Sequence, residues 1–355
     1  MVLKKFKSLL LRKSSDFIGI DIGSRAIKLV EIAWEKEQPV LKSIGIKKFP
    51  SSVLTSSQLI DNQILTDTLS QLLSTTQTYS KNAVVAVGGE AMFARELVFP
   101  AMTSDELKEA IKWDLEKYIP YAPDSYYYDF SIIGTGNNDS ETKVLLVAAP
   151  KEIVNNLISV IKNVGLRLVA VDTEPLALYR IFTDAENAMI VDIGTFLSQV
   201  TVFQNGSPAV IRNISIGGQR FTEAIMQGMG IEWKEAEQLK QNQRMISQGN
   251  VLFEDVNVQQ QLNLLVSEFA RDIRRTTEYY QLQNKDVTID KVFITGGGAN
   301  LGNLAQQLAA QLDLPTVIHN PLTKLSIPAS FDKKHLEQLA PQLGTAVGLA
   351  LRGGE

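Results

Sequence analysis

FIGIDIGSRAIKLVEI, residues 17–32, sets two apolar runs at strand spacing around an Asp-Ile-Gly-Ser turn. Alone, Asp21, Gly23 and Ser24 are ordinary hairpin residues, because aspartate and serine bond their own backbone and glycine accepts turn geometries that a Cβ forbids. A second stretch changes the odds. AMIVDIGTFLSQVTVF (188–203) repeats the order strand, Asp-x-Gly-Ser/Thr, strand, with Asp192, Gly194 and Thr195 at the matching places. The two aspartates lie about 170 residues apart, which implies an internal duplication. Each turn offers backbone N–H groups with no Cβ in the way, plus a hydroxyl, and this is the chemistry that cradles phosphate oxygens. Asp21 and Asp192 suit Mg²⁺, a hard ion that takes one or two carboxylates and shares its shell with water and phosphates. A third signal, ITGGG (294–298), ends a strand on a glycine triplet. Such glycines either let a helix pack close or let a flat base approach the backbone.

The remaining composition bounds the function classes. A chain of 355 residues exceeds one small core, so two domains are expected. Hydrophobic content of 45% with 21% charged residues reads as soluble and globular. A net charge of −4 and a pI near 5.5 argue against nucleic acid as a partner. The absence of cysteine excludes disulfides, thiolate metal sites and a cysteine nucleophile, and it fits a reducing compartment. With only His319 and His335 present, a histidine-rich metal site is not expected. No apolar run approaches bilayer length. The N-terminal stretch MVLKKFKSLLLRKSS is basic, with Leu3, Phe6 and Leu10 at helical spacing. It is either a short helix that touches anionic lipid or a partner, or a solvated tail.

Periodicity organises the middle of the chain. Residues 57–74 carry a broad apolar helical stripe, and 82–90 read as a buried strand. From 94 to 174 the expected order is β-α-β-β-α-β. Its first helix starts at Thr103-Ser104-Asp105-Glu106, rich in capping residues, and stops at Pro120. A helix at 151–163 and the strand LRLVAVD are expected to close that unit. Residues 221–284 read as predominantly helical, a further helix is expected at Asn300–Leu312, and PQLGTAVGLALR (341–352) as a helix packed through small residues.

These motifs, in this order, resemble those of the actin, hexokinase and heat-shock chaperone ATPase superfamily. The likeness covers residue 17 to the C-terminus: phosphate loops at 18–28 and 190–195, connections at Asp172–Ala177 and Gly344–Leu351, and an adenosine motif at Phe293–Leu301. Within it, GIDIGSRAIKLVEI, EAIKWDLEKYIPY, VDTEPLALYR and EFARDIRRTTEYYQ before ITGGGANLGNL are similar to the PilM family of type IV pilus assembly. The resemblance implies an α/β, actin-like, ribonuclease H-like duplicated two-lobed fold with an FtsA-type insertion. It implies a tail at 1–16 and a first-lobe core of 17–93, 175–186 and 341–355. The inserted subdomain would be 94–174, the second-lobe core 187–220 plus 285–340, and the helical cap 221–284.

By the same resemblance ATP and Mg²⁺ are the cofactors. Asp21 and Asp192 would face the metal, and Gly23, Ser24, Gly194 and Thr195 would hold phosphates. Lys28 either reaches the phosphates or is a lysine on the solvent face of a strand. Glu174 would sit near the metal or the attacking water, with Asp192 its catalytic companion. Gly297, Gly298 and Asn300 would frame the adenosine. KEAEQLK resembles a ribose-contacting helix, which nominates Glu237 and Lys240, whose alternative is an exposed i,i+3 ion pair. The second loop lacks an additional glycine or acid and no strong general base is evident, so tight binding with slow or partner-dependent hydrolysis is expected.

The function implied is an ATP-binding scaffold of the inner-membrane assembly platform whose partner is the N-terminal cytoplasmic peptide of PilN. Other pilus inner-membrane proteins and weak self-association complete the expected contacts. The protein is expected to be cytoplasmic and peripheral at the inner membrane, with membrane contact indirect through PilN. The helix at 105–119 is the candidate partner wall through Ile111, Leu115, Tyr118 and Ile119, because its apolar residues, with Ala110 and Trp113, exceed what one buried face needs. The alternative is plain core packing. Competing functions are a sugar-type kinase, which needs a base beside the acceptor hydroxyl, and an FtsA-like division protein, for which a C-terminal amphipathic helix would be expected after LRGGE.

Overall fold

The computed structural model describes residues 16–50, 61–135, 140–182, 187–204, 207–242, 256–283 and 288–354. The basic stretch 1–15 and the start of the expected helix at 57–60 lie outside the described residues. In chain order the strands are β1 (Phe17–Ile22), β2 (Ala26–Glu35), β3 (Gln38–Lys48), β4 (Asn82–Val87), β5 (Phe93–Pro100), β6 (Tyr126–Thr135), β7 (Glu141–Pro150), β8 (Arg167–Thr173), β9 (Asn187–Ile193), β10 (Ser198–Gln204), β11 (Ser207–Ile214), β12 (Val292–Thr295) and β13 (Thr316–Ile318). The chain divides into two compact units. One comprises Met1–Ala86, Asn156–Thr183 and Asn320–Glu355, the other Val87–Asn155 and Asp184–His319.

The first unit is built on a five-stranded sheet of order β3-β2-β1-β4-β8. β1 to β3 form an antiparallel meander, and β4 runs parallel to β1. Ile18, Gly19, Ile20 and Asp21 are buried in succession, so β1 is covered on both faces, unlike a strand at a solvated surface. One cover is the helix Gly344–Leu351, every residue of which is buried. Its close seat needs Gly19: a Cβ there would lie 2.0 Å from the Ala346 carbonyl oxygen. Gly348 serves the same end, since its Cβ would lie 1.8 Å from the carbonyl oxygen of Ala177 in helix Glu174–Arg180.

The strand expected to close the inserted subdomain belongs elsewhere. β8 extends the first sheet beside β4. Gly165, at φ +74°, turns the chain after helix Lys151–Asn163. The Arg167 N–H then donates to the Lys81 carbonyl at 2.7 Å, and its Nε to Asn82 Oδ1 at 2.9 Å, which ties β8 to the start of β4.

The second unit holds a sheet of order β11-β10-β9-β12-β13. Its meander β9 to β11 is antiparallel and β12 runs parallel to β9, so the second sheet repeats the plan of the first strand for strand. The duplication read from two turns is thus a duplication of whole sheets. Helix Val256–Gln283 buries Leu262, Val266, Phe269 and Ile273 in this unit's core. Between β12 and helix Leu304–Leu312 the chain makes a 3₁₀ turn, Gly297–Asn300. The helix therefore starts four residues later than the expected Asn300. A third, antiparallel sheet, β5-β7-β6, carries helix Ser104–Tyr118. The capping box at its start is formed: Thr103 N–H donates to Glu106 Oε2 at 2.9 Å, and Glu106 N–H to Thr103 Oγ1 at 3.4 Å.

One buried carboxylate organises the entry to β4. Glu31 is fully buried on β2 and accepts the N–H groups of Tyr79 at 3.0 Å and Ser80 at 2.6 Å. Burial pushes its carboxyl above the ordinary glutamate value of 4.5, and the two N–H bonds oppose the shift. A raised folded value means stability present at low pH is lost as pH climbs from 4.5 through that value. Glu31→Gln should flatten this slope in thermal melts at several pH values. Glu31→Ala, which orphans both donors, should cost about 1–3 kcal/mol by urea unfolding.

Candidate functional site

The first Asp-Gly hairpin lies wholly in the first unit. The turn closes by Gly23 N–H to Ala26 O at 3.1 Å. Register places Asp21 directly opposite Lys28 on β2, and the two side chains meet: Nζ to Oδ2 is 2.8 Å, with side chains 19% and 8% exposed. Lys28 is therefore no solvent-facing strand lysine. Its ammonium covers the turn, since a Cβ on Gly23 would stand 3.1 Å from Nζ. Ser24 is half-buried beside it. In the same unit Glu174 is the half-buried first residue of helix Glu174–Arg180, whose cap is Thr173.

The second hairpin is tied down more heavily. Gly194 N–H donates to Leu197 O at 3.0 Å and closes the loop. The Gly194 and Thr195 carbonyls accept from Gly218 N–H at 2.9 Å and Gln219 N–H at 2.8 Å, so the loop is clamped to the start of helix Gly218–Met229. Gly194 itself stays exposed, while Thr195 and Asp192 are half-buried.

The glycine triplet divides its labour. Gly296 adopts φ +84°, and a Cβ there would stand 2.2 Å from Asp192 Oδ1. Gly298 is buried, and a Cβ there would stand 2.2 Å from Ile193 Cγ2, so it serves close packing. Gly297 and Asn300 are exposed, and nothing lies within 4 Å of where a Cβ on Gly297 would be. Of the three glycines, Gly297 is the one open to a flat ring. Gly296 escaped the sequence reading as a site residue, because its role is a backbone angle and a contact, neither of which a triplet reveals.

Glu237 and Lys240 are not an exposed pair. On helix Trp233–Asn242 their side chains are 7% and 10% exposed and meet at 2.7 Å. Lys240 Nζ also donates to the Gly218 carbonyl at 2.8 Å and to Thr222 Oγ1 at 2.6 Å, and Thr222 donates to Glu237 Oε2 at 2.6 Å. The network ends at Gly218, whose N–H holds the Gly194 carbonyl, so Lys240 and the second loop share one anchor. Thr222 and Gly218 are further residues that spacing alone did not mark. Among the described residues no three of His, Cys, Asp and Glu converge as a metal cage.

The candidate partner residues need correcting. Ile111 is fully buried, Leu115 is 8% and Ile119 4% exposed, and all three pack against Leu97, Phe99, Val144 and Leu146. Tyr118 is partly buried on the same core and meets Phe99 edge-on. These side chains hold the helix to its sheet, and Ile111, Leu115 and Ile119 are covered by it. Trp113, 83% exposed, is what the helix presents outward. On β6, Tyr127, Tyr128 and Ile132 are also exposed. A groove of about 680 Å³ in this unit is lined by β5, β7, β11 and Tyr279–Tyr280, and by none of the four expected residues.

A sheet plan used twice, each copy opening on an Asp-x-Gly hairpin, defines the actin-like ATPase fold. The PilM-PilN type IV pilus biogenesis complex superposes with a TM-score of 0.83 at 24% identity, over 97% of this chain and 99% of that one. MreB5 of Spiroplasma citri bound to ADP superposes with a TM-score of 0.52 at 15% identity, over 94% of each. The cell division protein FtsA of Bacillus subtilis is 23% identical over 63% of this chain and 57% of its own length, so the match spans little more than half of that relative. The family model described as type IV pilus assembly protein PilM matches residues 19–354, and the chain belongs to that family. No described helix is long and apolar enough to cross a membrane.

The buried network around Lys240 has a direct test. Glu237→Ala leaves an ammonium that is 10% exposed without its carboxylate and should cost about 3–5 kcal/mol in urea unfolding. Adding Lys240→Met to that variant should recover part of the loss.

Proposed function

We propose that the protein is a nucleotide-regulated scaffold of type IV pilus assembly, which binds Mg-ATP through its two Asp-Gly turns and a PilN-type N-terminal cytoplasmic peptide through its inserted subdomain. The observation that carries the nucleotide reading is the repeated hairpin. Asp21 and Asp192 stand at the ends of equivalent strands, each beside a glycine turn. ADP bound to the structurally similar MreB5 supports it.

The chain's residues divide the work. Gly23 and Ser24 would hold phosphate oxygens by N–H and hydroxyl groups, and Gly194 and Thr195 offer the same groups. Asp21 and Asp192 would hold the hydrated Mg²⁺, which when bound supplies electrostatic stabilisation for phosphoryl transfer. Lys28 would exchange Asp21 for phosphate. Gly297 would admit the base, with Asn300 at its edge, and Glu237 and Lys240 would order the ribose side. Glu174 would orient the attacking water. The second loop, DIGTFLSQV, carries no additional glycine or acid, which supports slow or partner-dependent turnover.

Family membership and the PilM-PilN complex among structural neighbours support the partner. Trp113 is the proposed anchor, since a large exposed aromatic gains most from being covered. Attachment to the inner membrane would be indirect, through the peptide's parent protein, with other inner-membrane pilus proteins and weak self-association as further contacts.

Calorimetry of the peptide, with and without Mg-ATP, tests both halves. Asp192→Ala should weaken Mg-ATP binding at least tenfold, about 1.4 kcal/mol. Trp113→Ala should cost the peptide about 2 kcal/mol with an unchanged melting temperature. Ile111→Ala should instead lower stability by about 2–5 kcal/mol as a core truncation. Peptide binding in neither nucleotide state would sink the scaffold assignment.

A further inference from the structure

Asp172 stands next to the end of β8, with its side chain 2% exposed. Its Oδ2 accepts from Arg180 Nη1 at 2.6 Å and forms an ion pair with Arg352 Nη1 at 2.8 Å, and its Oδ1 accepts the Thr173 N–H at 2.7 Å. Three segments of the first unit meet at this one carboxylate: the end of β8, the last turn of helix Glu174–Arg180, and the 3₁₀ turn Arg352–Gly354. Two guanidinium groups converge on this one carboxylate. The second arrives from the far end of the sequence, so its contribution is to hold geometry.

What it holds is visible in the neighbouring contacts. Gly348 seats the helix Gly344–Leu351 on the Ala177 carbonyl, and Gly19 seats the same helix on β1 two residues before Asp21. Arg352 follows that helix directly and pins its end to Asp172. Thr173, whose N–H is fixed by Asp172, caps the next helix by accepting the Leu176 N–H at 3.4 Å. Glu174 is the first residue of that helix and follows the fixed peptide directly.

We infer that Arg352 is a positioning residue for the nucleotide chemistry: by holding Asp172 it fixes the Thr173 peptide, and so the direction in which Glu174 leaves the helix start. The inference rests on the nucleotide reading above. Arg180 supplies the charge that makes Asp172 tolerable in the interior, and Arg352 supplies the link to the helix that rests on β1. A lysine at 352 keeps the charge and one donor, and the contact uses a single Nη1, so the conservative replacement retains most of the effect.

Single-turnover hydrolysis of Mg-ATP by the full chain in excess separates rate from half-saturation even when turnover is slow. Arg352→Ala should lower the maximal rate about tenfold, or 1.4 kcal/mol, with half-saturation unchanged within about twofold. Arg352→Lys should restore most of the rate. In a Glu174→Gln background, Arg352→Ala should cause no additional loss, since both changes act through one carboxylate. A rate equal to wild type, a change confined to half-saturation or to the melting temperature, or an undiminished loss in the Glu174→Gln background overturns the inference and leaves the nucleotide reading standing. Absence of Mg-ATP binding by the wild-type chain overturns both.

Discussion

A backbone carbonyl occupies the place where Gly19 would carry a side chain. The Ala346 oxygen would lie 2.0 Å from a Cβ at that position, so helix Gly344–Leu351 lies on β1 with no side chain intervening. Because the helix lies this close, β1 is buried on both faces, and its last buried residue is Asp21. The second unit reaches the same result by a different glycine. There Gly296 and Gly298 bring the chain leaving β12 against Asp192 and Ile193. Glycine in regular structure costs about 0.5–1 kcal/mol in lost chain entropy. That cost is tolerated where backbone must touch backbone, and in both units the contact lies beside the aspartate that ends a hairpin strand.

The fold was legible where local chemistry decides it. Period-two apolar runs around Asp21 and Asp192, the capping residues at Thr103–Glu106 and the helix at 151–163 all act within a few residues, and the sequence carries them openly. Sheet membership is different. LRLVAVD has a strand's pattern wherever it pairs, and its place beside β4 rests on Gly165 and on the Arg167–Asn82 bond, which join segments more than eighty residues apart. The partner stripe failed for a related reason. At about 100° per residue, Ile111 and Trp113 point to nearly opposite sides of a helix. An apolar count registers that both are present. Only the sheet beneath shows which one is covered, and Leu107, Ile111 and Leu115 at intervals of four are the face it takes.

The site residues were legible as a set and less so one by one. The hairpin aspartates and the triplet stood out, yet Gly296, Gly297 and Gly298 turn out to do three separate things. The same holds for charge. Lys28 and the Glu237–Lys240 pair could each be read as solvated, because nothing in their spacing encodes depth. Each is instead held largely out of solvent by an opposite charge, and each ends on a residue of an Asp-Gly turn or on its anchor.

That placement bears on how such a protein would respond to a nucleotide. Buried ion pairs add little net stability, because desolvation offsets their attraction, but they hold geometry until a better partner arrives. Asp21 with Lys28 is a carboxylate and an ammonium already desolvated together. A divalent cation at Asp21 and a phosphate at Lys28 would replace one pairing by two, at no further cost of taking those charges out of water. Lys240 is tied to the second loop through Gly218 and also bonds Thr222, so a ligand that draws on it would pull on the helix Gly218–Met229 as well. In the first unit the corresponding load falls on β1, and through Gly19 on the helix that Arg352 fastens to Asp172. Binding energy at either turn would therefore be delivered to a helix, and a helix can carry a small displacement to a distant surface.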